Sequence, residues 1–139
     1  MIDSTNKYSK ARSTTNFRPS TELLDNIWAE CVKARACQAS EYSRKTRDEG
    51  HQLHAHHIIG KSTHALRWDL DNGICLTGGE HKFIAHGDTR RAEIFKDWAL
   101  TRRKATEKMK IKKYQTGGVD LFGTKEYLKQ QLKEFKKGG

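Results

Sequence analysis

The chain has little that would hold it in a membrane or mark it for export. No stretch approaches the roughly 18 consecutive apolar residues that a membrane span requires, and Met1 to Ser20 is polar throughout, without the apolar centre of a secretory signal. Cysteine is scarce. Cys31, Cys37 and Cys75 are an odd number, which suits free thiols in a reducing cytoplasm better than a disulfide framework. Proline occurs once, as Pro19 in front of a Ser20 that reads as a helix N-cap. No internal repeat divides the chain, and 139 residues give one compact domain with a modest core rather than two.

What is abundant is positive charge and histidine. There are 27 Lys and Arg against 17 Asp and Glu, a formal net charge of +10, and residues 101–139 hold 12 of the former against 4 of the latter. The run Arg102, Arg103, Lys104, Lys108, Lys110, Lys112, Lys113 is the kind of stripe that a polyanion binds, because each neutralised phosphate releases a counterion. A solvated helix face that aids solubility would look the same. All seven histidines (His51, His54, His56, His57, His64, His81, His86) fall within residues 51–86. A lone histidine is most often structural. Seven together point to a site, since imidazole both ligates divalent metals and moves protons near neutral pH.

Periodicity supplies a coarse map. Residues 1–18 read as a flexible basic tail. Leu23, Leu24, Ile27, Trp28, Cys31 and Val32 recur at helical spacing and predict an amphipathic helix over 21–35. A polar connection, 38–50, leads into a strand over 52–59, where period two puts His54, His56 and Ile58 on one face and Leu53, Ala55, His57 and Ile59 on the other. Residues 60–71 read as a loop, Asn72-Gly73 as a turn, and Ile74 to Thr77 as a second strand. Gly78-Gly79-Glu80 opens a helix carrying His81, Phe83, Ile84 and His86, which Gly87-Asp88 breaks. Asp88 then caps a further helix that buries Ile94, Phe95, Trp98 and Leu100 and runs into the basic stripe. A terminal helix is expected over 124–137, so that the chain divides into a tail (1–18), a core domain with its N-terminal helix (19–115) and a C-terminal basic helix (116–139).

The string His54-Ala55-His56-His57-Ile58-Ile59-Gly60, then Leu66-Arg67-Trp68, Asp71-Asn72-Gly73-Ile74-Cys75-Leu76 and Glu80-His81 resembles the HNH (ββα-metal) nuclease family over roughly residues 28–98, with flanks similar to those of small phage-type members. The resemblance implies an α+β fold: a ββα-metal (His-Me finger) core, with a short β-hairpin and a metal-binding helix, surrounded by further helices. It also implies that Asn72 hydrogen-bonds the backbone around the base histidine and fixes its orientation. Many members carry two Cys-x-x-Cys pairs for a structural zinc. The matching places here are Cys37-Gln38-Ala39-Ser40 and Thr77-Gly78-Gly79-Glu80, so no structural zinc held by four cysteines is expected, and Cys37 reads as a small buried or half-exposed residue.

Hydrolysis of a phosphodiester needs an activated water and positive charge at the leaving oxygen. His57 is the candidate general base, and His56 and His81 the candidate ligands of one divalent ion. Family members often place a third ligand four residues after the helix histidine, which here is Ala85. His86 is the nearest candidate, but on a regular helix a five-residue step turns a side chain about 140° away from His81. His86 can therefore ligate only if the helix is distorted or ends before Gly87, and His54, a water or a phosphate oxygen stay open as alternatives. His54 otherwise reads as a supporting residue. Lys61, Arg67, Arg102 and Arg103 are candidate phosphate contacts, although Arg67 has Asp69 and Asp71 within reach as partners.

The expected activity is metal-dependent nicking of DNA by a monomer or weak dimer using Mg²⁺, Mn²⁺, Ni²⁺ or Zn²⁺. The alternatives are an RNase and a catalytically inactive nucleic-acid-binding module. The expected place is the cytoplasm, a host's if the chain is phage-encoded.

Overall fold

A computed structural model describes residues 18–103 and 118–138. Lys104, Lys108, Lys110, Lys112 and Lys113 of the basic stripe, and residues 1–17 of the expected tail, lie outside the described residues.

Helix α1 (Thr21–Arg35) starts where expected. The Ser20 side chain accepts the Leu23 amide at 3.0 Å, Glu22 sits in the first turn and Lys33 and Arg35 in the last, each complementing the helix dipole. Its buried stripe is Leu24, Trp28, Cys31 and Val32. Leu23 is on the flank of that stripe and is 40% exposed, contrary to its assignment to the apolar face. Past the helix, Cys37 and Gln38 both take left-handed backbone angles (φ +57° and +56°), and Cys37 is exposed rather than buried or half-exposed.

Strands β1 (Leu53–His57) and β2 (Gly73–Thr77) form an antiparallel hairpin with His56 opposite Ile74 and His57 opposite Gly73. Strand β1 is shorter than the expected 52–59, and 3₁₀ turns at His64–Leu66 and Leu70–Asn72 shape the connection. Asn72-Gly73 is not a tight hairpin turn. Neither residue has positive φ: Asn72 closes a 3₁₀ turn and Gly73 (φ −115°) begins the strand. Glycine is needed at 73 for space, since a Cβ there would collide with Val32 and sit 2.8 Å from the Trp28 indole.

All of β2 is buried, because the hairpin is covered on both faces. On one side Leu53, Cys75, Trp68 and Leu70 pack with α1, which is backed by α4 (Leu121–Gly138) through Leu128. On the other, Ile58, Ile74, Leu76 and Ala85 pack with Phe95 and Ala99 of α3 (Thr89–Thr101). The fold is thus α+β, a small antiparallel hairpin between helices. Asp88 caps α3 by accepting the Arg91 amide at 2.9 Å. The buried stripe of α3 centres on Phe95 and Ala99, and this leaves Ile94 on the flank at 61% exposure, against the expectation that it packs inside. Helix α4 begins three residues earlier than the expected Thr124, with the Asp120 carboxylate accepting the Gly123 amide at 3.0 Å.

Candidate metal centre and its cleft

Helix α2 (Gly78–Glu80) opens with a capping box in which the Thr77 side chain accepts the Glu80 amide and Glu80 accepts the Thr77 amide. Glu80 is buried and also accepts from the Ser40 hydroxyl. The positions matched above to a zinc quartet therefore include a direct Ser40–Glu80–Thr77 hydrogen-bonded link. Hydrogen bonds from Ser40 and Thr77 hold the Glu80 carboxyl below the usual range, although burial alone would raise it.

Beyond Glu80 the helix does not continue as an α-helix. Residues His81–Ala85 form a π turn, closed by the His86 amide donating to the His81 carbonyl at 3.1 Å. An i→i+5 bond closes a turn in more than four residues, so a five-residue step returns close to its starting direction. This distortion brings His86 beside His81, with ring centroids 4.8 Å apart. His56, from the centre of the hairpin, completes the group at 5.1 Å from His81 and 5.0 Å from His86. One ring nitrogen from each lies within 4.8 Å of the others, so His56, His81 and His86 can hold a metal ion.

The donor set suits that role. His56 is 7% exposed and its ring faces the imidazoles of His81 and His86. Burial, then the neighbouring His81 and His86, push the His56 imidazolium down to about 3; burial, then His86 and His54, push His81 down to about 4. Both are neutral at physiological pH, the form that ligates. His54, on the same strand face, places its Nδ1 3.0 Å from Nδ1 of His81. This engages Nδ1 of His81, leaves its Nε2 available to an ion, and makes His54 the group that orients the ring.

His57 faces the other way, onto α1. Its ring stacks on the Trp28 indole at 3.9 Å with 9° between planes, and its Nε2 donates to the Arg67 carbonyl at 2.8 Å. A carbonyl only accepts, so Nε2 carries the proton and Nδ1 is left as the basic nitrogen. Burial outweighs the Arg67 carbonyl and Asp25, and holds His57 below the ordinary histidine range. The Asn72 side chain, fully buried, accepts the Ile59 amide at 2.8 Å and donates to the carbonyls of Ile59 and Leu66 at 2.9 and 3.1 Å. It thereby ties the segment just after β1 to the residue preceding Arg67, whose carbonyl receives His57.

His56, His57, His81 and His86 open into one cleft of about 530 Å³, with exposed Lys61 at its edge. The remaining expected phosphate contacts are placed differently. Arg67 forks onto Asp25 (3.0 and 2.7 Å), not onto Asp69 or Asp71, and Asp25 also accepts from the Trp68 indole at 2.9 Å. Arg103 is engaged by Glu41 (2.9 and 3.0 Å) and the Gly73 carbonyl, while exposed Arg102 lies over the Trp98 ring at 5.2 Å. Trp28 and Asp25, which brace His57 directly and through Arg67, gave no signal of such a role in the sequence. His51 and His64 are outside the cleft lining. No protein-family model, curated protein or solved structure matches this chain.

Proposed function

We propose that the protein is a metal-dependent endonuclease of the HNH, ββα-metal kind, which hydrolyses phosphodiester bonds in DNA and nicks one strand at a time. The observation that carries this reading is the opening of two chemically distinct histidine groups into one cleft: a three-imidazole cluster, and a fourth imidazole whose tautomer leaves Nδ1 basic. An ion held by His56, His81 and His86 would supply the positive charge that offsets the developing charge on the phosphate and its departing oxygen. Three imidazole nitrogens suit Zn²⁺ or Ni²⁺ better than Mg²⁺.

His57 takes a proton from a water through Nδ1 as that water's oxygen attacks phosphorus, while Nε2 stays bonded to the Arg67 carbonyl. The flat stack on Trp28 fixes the ring plane, and the Asn72 clamp fixes the backbone at both ends of the loop that holds it. Lys61 at the cleft edge adds charge for a neighbouring phosphate.

Supercoiled plasmid incubated with wild type, His57→Ala and His86→Ala, each with EDTA, Mg²⁺, Mn²⁺, Ni²⁺ or Zn²⁺, tests the proposal. Metal-dependent conversion to open circles by wild type, lost in His57→Ala while metal binding persists, is expected. Absence of cutting with every ion would refute DNA cleavage; cutting of RNA alone would make the protein an RNase, and retention of DNA without cutting a binding module.

A further inference from the structure

A second opening, beside the metal cluster, is of another kind. Tyr42, Ile84, Arg91, Ile94, Phe95 and Trp98 line a depression of about 510 Å³ whose walls are mainly aromatic and aliphatic. Ile94 and Tyr42 are 61% and 46% exposed, which is unusual for side chains with this much apolar area gathered in one place. The rings are mutually braced: Tyr42 meets Trp98 edge-on at 5.1 Å, and Phe95 lies 5.6 Å from Trp98. Phe95 also lies 5.6 Å from His56, so the same ring borders this depression and meets the imidazole cluster. Two guanidiniums flank it. Arg102 lies over Trp98 at 5.2 Å, and Arg91 makes an exposed 3.8 Å pairing with Asp88, the kind of contact that contributes little and exchanges easily.

We infer that the depression formed by Tyr42, Ile94, Phe95 and Trp98 binds an unstacked base of a single nucleic-acid strand, with Arg91 and Arg102 meeting its flanking phosphates. The position of this base subsite beside the scissile phosphate rests on the nuclease reading; the binding itself does not. Every base offers a flat π-face, and aromatic walls with cationic neighbours form the usual platform for single strands. A duplex keeps its bases stacked on one another and offers only its backbone here. The flanking cations favour an anionic polymer over an apolar protein segment as the occupant. The substrate that fits both openings together is DNA with a locally unpaired segment: a frayed end, a flap or a bubble.

Anisotropy of labelled oligonucleotides in EDTA measures binding without cleavage. The probes are a single strand, an abasic phosphodiester strand of equal length and charge, and the matching duplex. The expected result is that wild type binds the single strand about 5- to 100-fold tighter than the abasic strand, the gain typical of stacking one base. Trp98→Ala should abolish this preference and Trp98→Phe should retain it. Ile94→Glu, a change at an exposed position that leaves the core intact, should also lose it. Equal binding of the base-containing and abasic strands by wild type would overturn the inference. So would an unchanged preference in Ile94→Glu, or a wild-type dimer that Ile94→Glu dissociates without any base preference. A base preference in a protein that cuts no plasmid would uphold the subsite and refute the nuclease reading, which keeps the two separable.

Discussion

Replacing His86 by alanine removes the candidate ligand that the π turn brings beside His81. Structural zinc sites with four ligands bind with about 10–16 kcal/mol, so one ligand contributes about 3–4 kcal/mol, or roughly a 100- to 1000-fold change in Kd. His86 is exposed and its ring lies beside those of His56 and His81, outside the packed core, so the apo fold should hardly change. At a free metal concentration 100-fold above Kd, wild type gains about 2.7 kcal/mol of stability, whereas a variant with a 100-fold weaker site gains about 0.4 kcal/mol. With about 4 °C per kcal/mol for a domain of this size, addition of Zn²⁺ or Ni²⁺ should raise the wild-type Tm by about 10 °C and that of His86→Ala by less than about 2 °C. Moving the imidazole to the position four residues after His81, in Ala85→His/His86→Ala, should not restore binding. Ala85 is 7% exposed and packed with Ile74, Leu76 and Phe95, so the turn directs that side chain into the core. Equal metal-induced shifts in wild type and His86→Ala would refute the triad. Full rescue by the double substitution would refute the claim that tertiary packing imposes the π turn.

Three further outcomes follow from the same geometry. In the folded metal-free protein His56 and His81 are depressed to about 3 and about 4, so the unfolded chain, with histidines near 6.5, binds protons that the fold refuses. Urea midpoints in EDTA should therefore be highest above pH 6.5 and fall as pH drops from there towards 4, and His56→Gln should flatten the fall; an identical slope in that variant would contradict the assignment. Gly73→Ala places a Cβ against Val32 and 2.8 Å from the Trp28 indole, and should cost about 1–3 kcal/mol in urea unfolding while weakening the near-ultraviolet dichroism of the stacked tryptophan. Asn72→Ala strands the Ile59 amide and carbonyl in the interior and leaves the Leu66 carbonyl with the Asp69 amide alone, for a loss of about 3 kcal/mol by the same measurement; a loss below about 1 kcal/mol would mean that water replaces the clamp.

What could be read in the sequence was local. Ser20 and Asp88 cap helices because a side-chain oxygen beside an apolar helical pattern has few other uses, and period two separates His56 from His57 whatever the strand packs against. The five-residue step from His81 to His86 even states the problem that the π turn solves. It cannot state the solution, since a π turn is less favourable than an α turn and persists here only because Ala85 packs beneath it and Gly87 leaves the helix behind it; a Cβ at 87 would collide with the Phe83 carbonyl. The partners of the basic residues were illegible for a related reason. Arg67 has Asp69 and Asp71 close in sequence, yet it pairs with Asp25, 42 positions away, because α1 crosses the loop with Trp28 and Asp25 on its inner side. That crossing also sets the indole under His57. Catalytic competence in this reading thus depends on helix α1, whose own sequence reads only as an amphipathic packing element. The physical consequence is that Trp28→Phe and Asp25→Asn, in protein that remains folded, should alter turnover while leaving metal affinity intact, because Trp28 stacks on His57 and Asp25 holds Arg67, whereas the candidate metal ligands are His56, His81 and His86.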